Sequence, residues 1–144
     1  MARVAKFLRL STPDKLLLAR CVLTVAVVRL GLSLLSYRAL RRWLPRTTAG
    51  AEATGDAARR IVWGVDVASR LVPRATCLVK AFAAQLILAR AGYRSQLRIG
   101  VGNDAGGKLV AHAWLICGER VLLGGPPHEL RRYVPLADFG PEPL

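Results

Sequence analysis

Acidic residues are scarce in this chain: nine Asp and Glu stand against 22 Lys and Arg, a formal net charge of +13. The deficit is uneven, because residues 1–46 hold ten basic side chains and one acid, Asp14. Such a field draws acidic peptides, polyanions or an anionic lipid surface, and a solvated Arg-rich surface accounts for it equally well. Aromatics make up only 6% of the chain and do not interleave with the basic residues, which argues against a nucleic-acid stacking platform. The cysteines, Cys21, Cys77 and Cys117, form no CxxC pair and no zinc-ligand spacing, so no metal is expected. Gly100-Val101-Gly102 lacks the lysine-bearing loop of a phosphate site, and no cofactor is expected. The longest apolar stretch, Leu16 to Leu35, is interrupted by Arg20 and Arg29. At ~100° per residue these fall on opposite sides of a helix, whereas a membrane span needs roughly 20 residues almost free of charge. The start, Met1-Ala2-Arg3-Val4-Ala5-Lys6, lacks the apolar run of a signal peptide. With an odd cysteine count, the expected location is the reducing cytoplasm.

The chain is otherwise rich in apolar residues, 53% of 144, enough for one compact domain with a real core. Residues 12–44 read as one or two helices, with Pro13 in the first turn after Ser11 or Thr12. Residues 1–46 form a basic amphipathic helical segment ahead of a core over 47–144. Residues 45–56 are small and polar without period, as in a linker. Ile61, Val65, Ala68 and Leu71 recur at helical spacing, so a helix is predicted over Ala57–Leu71, stopped by Pro73. Thr76 is a natural N-cap for a helix over Cys77–Ala91, closed by Gly92. That helix is apolar on most sides and belongs inside the fold. The period then changes to two at Leu97, Ile99 and Val101. A loop over 103–107, a strand over 108–116, a turn at Cys117-Gly118-Glu119 and a strand over 120–123 complete a three-stranded meander. The tail beyond Gly124 offers Leu130, Tyr133, Val134 and Leu136 for packing. Helices followed by an antiparallel sheet make the fold class α+β, with the cysteine helix packed centrally on the sheet.

Cys77 at a predicted helix start and His112 on a later strand carry the chemistry. A thiol attacks as its thiolate, which a helix N-terminus or a neighbouring imidazolium stabilises. The first helical amides are unpaired donors able to hold an oxyanion. Val110, His112, Trp114 and Ile116 share one strand face, and the small Ala111 and Ala113 take the other. A buried cysteine serving as packing and a strand histidine satisfied within the core are the bland alternatives.

The ordered block Arg74-Ala75-Thr76-Cys77-Leu78, Ala81 to Tyr93, Leu97-Arg98-Ile99-Gly100-Val101 and Ala111-His112-Ala113-Trp114-Leu115 resembles the transglutaminase-like cysteine peptidases of lasso-peptide biosynthesis. The opening helices, from Leu16 to near Trp43, are similar to that family's as well. The resemblance implies a transglutaminase/papain-like core with Cys77 as nucleophile and His112 as base. It implies removal of the leader from a ribosomally made precursor, after which a separate ATP-consuming cyclase closes the macrolactam. The chain resembles the split form, which lacks a fused leader-binding domain. The implied partners are therefore the precursor leader, a small leader-binding protein and the cyclase, with no nucleic acid. The family's third catalytic residue is an Asp on the strand after the histidine strand. Here a hairpin about Gly118 sets Gly124 opposite His112, and Glu119 lies in the turn. Asp138, Glu129, a main-chain carbonyl or water remain as orienting groups, and the third position stays unassigned. Acyl transfer to an amine by the same dyad is the enzymatic alternative. A non-catalytic scaffold using residues 1–46, including Arg41 and Arg42, to bind partners or touch a membrane peripherally is the other.

Overall fold

The structure, a computed structural model, describes residues 5–6, 8–44 and 50–140. The first long helix, α1, spans Thr12–Leu34. Ser11 caps it, its hydroxyl accepting the Asp14 amide, with Pro13 in the first turn. Leu18, Cys21, Val25 and Val28 recur every three or four residues and are buried. Burial pushes the Cys21 thiol up to about 11, because the low-dielectric core disfavours its anion. A second apolar stripe, Leu16, Leu23, Val27, Leu30 and Leu34, is exposed. By length and composition alone α1 could cross a membrane. The helix nonetheless packs on the helices over residues 55–71 and 77–90 and on the short helix that follows it.

Leu35 and Ser36 break the helical run, and Ser36 caps a one-turn helix, α2 (Tyr37–Leu40), which leads into a 3-10 turn over Arg41–Trp43. The first half of the expected linker, residues 45–49, lies outside the described residues. Its later part is not free chain. Ala51–Glu52 form a short strand, β1, parallel to β2 (Tyr93–Arg94), and Ala53 is buried. Helix α3 spans Gly55–Leu71 and buries Ala58, Ile61, Val65 and Ala68, the stripe its spacing predicted. The Asp14–Arg60 ion pair ties α1 to α3.

Helix α4 spans Cys77–Arg90, capped by Thr76, whose hydroxyl accepts the Val79 amide. Every residue from Ala81 to Ala89 is buried, since α1, α3 and strand β4 all pack on this helix. An amphipathic sequence would leave one of those neighbours facing charge, so the all-round apolar composition follows from the central position.

The main sheet has four antiparallel strands rather than the expected three: β3 (Gln96–Asn103), β4 (Leu109–Cys117), β5 (Arg120–Leu123) and β6 (Val134–Phe139), in the order β5-β4-β3-β6. Between β5 and β6 lies a one-turn helix, α5 (Pro127–Leu130). β6 escapes a periodicity reading because Pro135 interrupts it and Val134 and Leu136, expected to pack, are exposed. Proline is tolerated there because β6 is an edge strand, where its missing N–H removes no ladder bond. Arg98 fastens β6 through two bonds to the Asp138 carboxylate, 2.7 and 2.8 Å, at the cross-strand pair Arg98–Asp138. Those bonds hold the Asp138 carboxyl below the usual carboxylate range and raise the Arg98 guanidinium. From the other side, the fully buried Gln85 of α4 donates its amide to the Phe139 carbonyl at 2.8 Å.

The sheet separates two apolar clusters. Leu97, Leu115 and Leu123 join the helices in the main core, which also takes Cys21, Val25 and Leu40 from the first 46 residues. Trp114, Ile116 and Leu130, with Val121 and Tyr133, form a smaller cluster of their own.

Candidate active site

Cys77 is the first residue of α4, half-buried and not in a disulfide. The Thr76 cap satisfies the third amide of the helix, Val79, and the Thr76 carbonyl takes Lys80. The amides of Cys77 and Leu78 precede the first possible intrahelical bond and have no partner among the described residues. The chain thus presents a thiol and two free N–H donors at one helix end, the arrangement a developing oxyanion requires.

His112 lies on β4 on the face of Trp114, as the alternation required. Its ring stacks on Trp114 (5.8 Å between centroids) and on Tyr133 (5.1 Å), which fixes the imidazole plane. Nε2 lies 2.8 Å from the Gly124 carbonyl oxygen. A carbonyl can only accept, so Nε2 carries the proton, and the lone pair of the neutral ring falls on Nδ1. In this tautomer Nδ1 is the basic atom of the ring. His112 thus belongs to the Trp114–Tyr133 cluster and not to the helix-side core on which α4 packs, and the structure does not bring it to the Cys77 thiol: no hydrogen bond links the two among the described residues.

The register explains the missing acid. Cys117 pairs with Arg120 and Ile116 with Val121, but an irregularity then pairs Leu115 with Leu123. The extra residue moves Gly124 against Trp114 instead of opposite His112, which corrects the simple hairpin count. Gly124 has φ +123°, and a Cβ there would stand 2.3 Å from the Trp114 Cβ. No side chain fits, so an aspartate at this position is sterically excluded, and the main-chain carbonyl faces the imidazole instead. Of the other acids considered, Asp138 is engaged by Arg98. Glu129 sits on α5 and forms no hydrogen bond to His112 among the described residues.

A cleft of about 600 Å³ opens between α3 and β5; its lining reaches Gly124 but includes neither Cys77 nor His112. One wall carries Val62, Trp63 and Asp66 of α3, and the other runs without interruption from Arg120 to Gly125. Lys80, one turn into the cysteine helix, reaches the cleft and bonds Asp66 at 2.5 Å, while Arg70 holds the same carboxylate at 2.8 Å. Sequence reasoning left a main-chain carbonyl, here that of Gly124, as one option among several, and missed Tyr133 as a partner of His112 and this Lys80–Asp66 bridge. The first two depend on the irregular register and on the return of the tail over the sheet, which no local pattern encodes. Among the described residues, no cluster of His, Cys, Asp and Glu could hold a metal ion.

No curated protein and no solved structure matches the chain. The family model described as the transglutaminase-like superfamily matches residues 21–138, a stretch that contains α4 with Cys77, β4 with His112 and all four strands of the main sheet. The chain belongs to the transglutaminase-like superfamily.

Proposed function

We propose that this chain is a cysteine peptidase that removes the leader from a ribosomally synthesised lasso-peptide precursor. The superfamily includes cysteine peptidases and acyltransferases. The observation that carries the reading is the 2.8 Å contact of His112 Nε2 with the Gly124 carbonyl. It leaves Nδ1 as the basic atom, in a chain whose half-buried cysteine stands at the N-terminus of the central helix. In this mechanism His112 approaches Cys77 more closely than in the structure, Nδ1 takes the proton of the thiol, and Sγ attacks the scissile carbonyl. The amides of Cys77 and Leu78 hold the oxyanion. The tetrahedral adduct collapses to a thioester as His112 returns the proton to the leaving amine, and water then releases the acyl group. A carbonyl orients the imidazole without adding negative charge, so imidazolium gains less stabilisation than a carboxylate would give it.

The basic residues before position 46 are the proposed docking surface for the acidic groups of a leader or of a small leader-binding protein. Peripheral contact with an anionic membrane, exchange with the macrolactam cyclase and a cytoplasmic location belong to the same proposal. Arg41 stacks over Phe139 and donates to the Gly140 carbonyl at 3.2 Å. Charge reversal is therefore cleaner at the exposed Arg38 and Arg42 than at Arg41.

The test mixes the chain with a synthetic lasso-class precursor and a leader-binding protein and follows leader loss by mass spectrometry. Wild type should cleave, whereas Cys77→Ala and His112→Ala should lose at least a thousandfold in rate. Cleavage that survives Cys77→Ala overturns the reading. Tight precursor binding without cleavage replaces it with the scaffold alternative.

A further inference from the structure

β5 is an edge of the main sheet, with β4 on one side and no strand on the other among the described residues. Edge strands present a row of unpaired backbone groups that another chain can complete. Which groups are free follows from the turn. Gly118 has φ +60° and Glu119 has no positive φ, the signature of a type II′ turn, which requires glycine at its first central position. Cys117 and Arg120 close that turn as a cross-strand pair and bond each other. The next residue, Val121, therefore turns its N–H and C=O away from β4, towards the free edge.

The α3–β5 cleft runs along that edge. Its β5 wall ends at Gly124-Gly125, and the Gly124 carbonyl is the group bonded to His112. Lys80, three residues beyond Cys77, lines the same cleft. Trp63 on the opposite wall is 39% exposed, a large apolar anchor of the kind that dominates peptide binding. Arg120 stands on the rim with no ion pair among the described residues, whereas Lys80 is already matched by Asp66.

We propose that the free edge of β5 is a strand-addition site for the substrate backbone: an extended segment of the precursor pairs with Val121 inside the α3–β5 cleft. This rests on the peptidase reading for the identity of the peptide, although the pairing itself requires no chemistry. The added strand directs alternate side chains into the cleft, an apolar one against Trp63, and places an acidic one beside Arg120. Its course carries the peptide past Gly124-Gly125 towards His112 and the start of α4. Recognition is then largely of main chain, so the site tolerates varied side chains while demanding an extended, unblocked backbone.

The experiment uses the full chain as Cys77→Ala, so that nothing is cut, and a synthetic fluorescein-labelled lasso-class precursor read by anisotropy. Two peptide series are N-methylated across the bound segment, one at odd and the other at even positions. Only residues that face β5 use their N–H, so one series should weaken at least tenfold and the other should bind within about twofold of the parent. In parallel, Val121→Pro removes the outward N–H without touching the ladder to β4 and should also weaken binding at least tenfold. The peptide series stand whether or not that variant folds. Equal behaviour of the two series, or no saturable binding to the Cys77→Ala chain, overturns the proposal. Alternating sensitivity in a protein whose wild type never cleaves leaves the strand site standing and removes the peptidase reading instead.

Discussion

At the scale of single residues, Gly124 decides most. Its φ of +123° and the 2.3 Å approach to Trp114 Cβ leave no room for a side chain. Gly124→Ala should therefore lose about 2 kcal/mol or more of stability, read as a drop in melting temperature of about 3 °C per kcal/mol. Gly124→Asp, which nominally restores the absent acid, should lower both stability and cleavage instead of completing a triad; a gain in rate would contradict the register described above. Tyr37 makes a second residue-scale prediction. Its ring lies against those of Phe82 and Phe139, and its hydroxyl is buried with no hydrogen-bond partner among the described residues. Tyr37→Phe should be neutral or stabilising by up to about 1 kcal/mol, since it removes an unpaired polar group and keeps the ring contacts. A thermal melt of the variant checks this. Cys77 and His112 were legible as candidates because a capped helix start and a strand face are local signals. The Gly124 carbonyl was legible only as one option among several, because the irregularity between Leu115 and Ile116 that positions it has no mark in the sequence.

At the scale of elements, the fold hangs on α4 and on how β6 is attached. Gln85 is 0% exposed and joins the centre of α4 to the last strand through the Phe139 carbonyl. Gln85→Ala should cost about 3 kcal/mol, the sum of a lost buried hydrogen bond, an orphaned carbonyl and a cavity. Chemical denaturation measures it, and a loss below about 1 kcal/mol would mean that β6 is held by other contacts. The Arg98–Asp138 pair supplies an acid-side prediction. The carboxyl is depressed in the fold by its bonds to Arg98, so the folded state binds the proton less readily than the unfolded chain. Its contribution is present above about pH 4 and is lost as pH falls through the folded value. Both partners are about one-third exposed, so the contribution is held to about 1 kcal/mol or less, and Asp138→Asn should flatten the acid side of the stability curve by that amount. The helices were readable from apolar spacing and caps, and β3, β4 and β5 from alternation and turn residues. β6 was not, because Pro135 and two exposed apolar residues hide its period. Nor were the two-residue strands β1 and β2, whose pairing joins segments about 40 residues apart.

For the whole molecule, one core spans the basic N-terminal segment and the rest of the chain, and its polar members set the alkaline limit. Burial raises Cys21 to about 11 and Tyr37 to about 12. Below their unfolded values, near 9 and 10, both are protonated in either state and cost nothing. As pH climbs past those values the unfolded chain ionises first, so stability falls through the folded values. The melting temperature should decline steeply between about pH 9 and pH 12, and Tyr37→Phe should recover part of that loss. A flat profile would mean that this side of the core opens to water. The same core leaves α1 with one stripe inside and one stripe of leucines outside, in a chain of charge +13.

In the proposed reaction Cys77 forms a thioester with a substrate carbonyl. Rapid acid quench of the chain mixed with a synthetic lasso-class precursor, followed by intact-protein mass spectrometry, tests it most directly. A transient adduct with the mass of the acyl fragment is expected, mapped to Cys77 and absent from Cys77→Ala. Precursor cleavage with no adduct in wild type and undiminished activity in Cys77→Ala would contradict it.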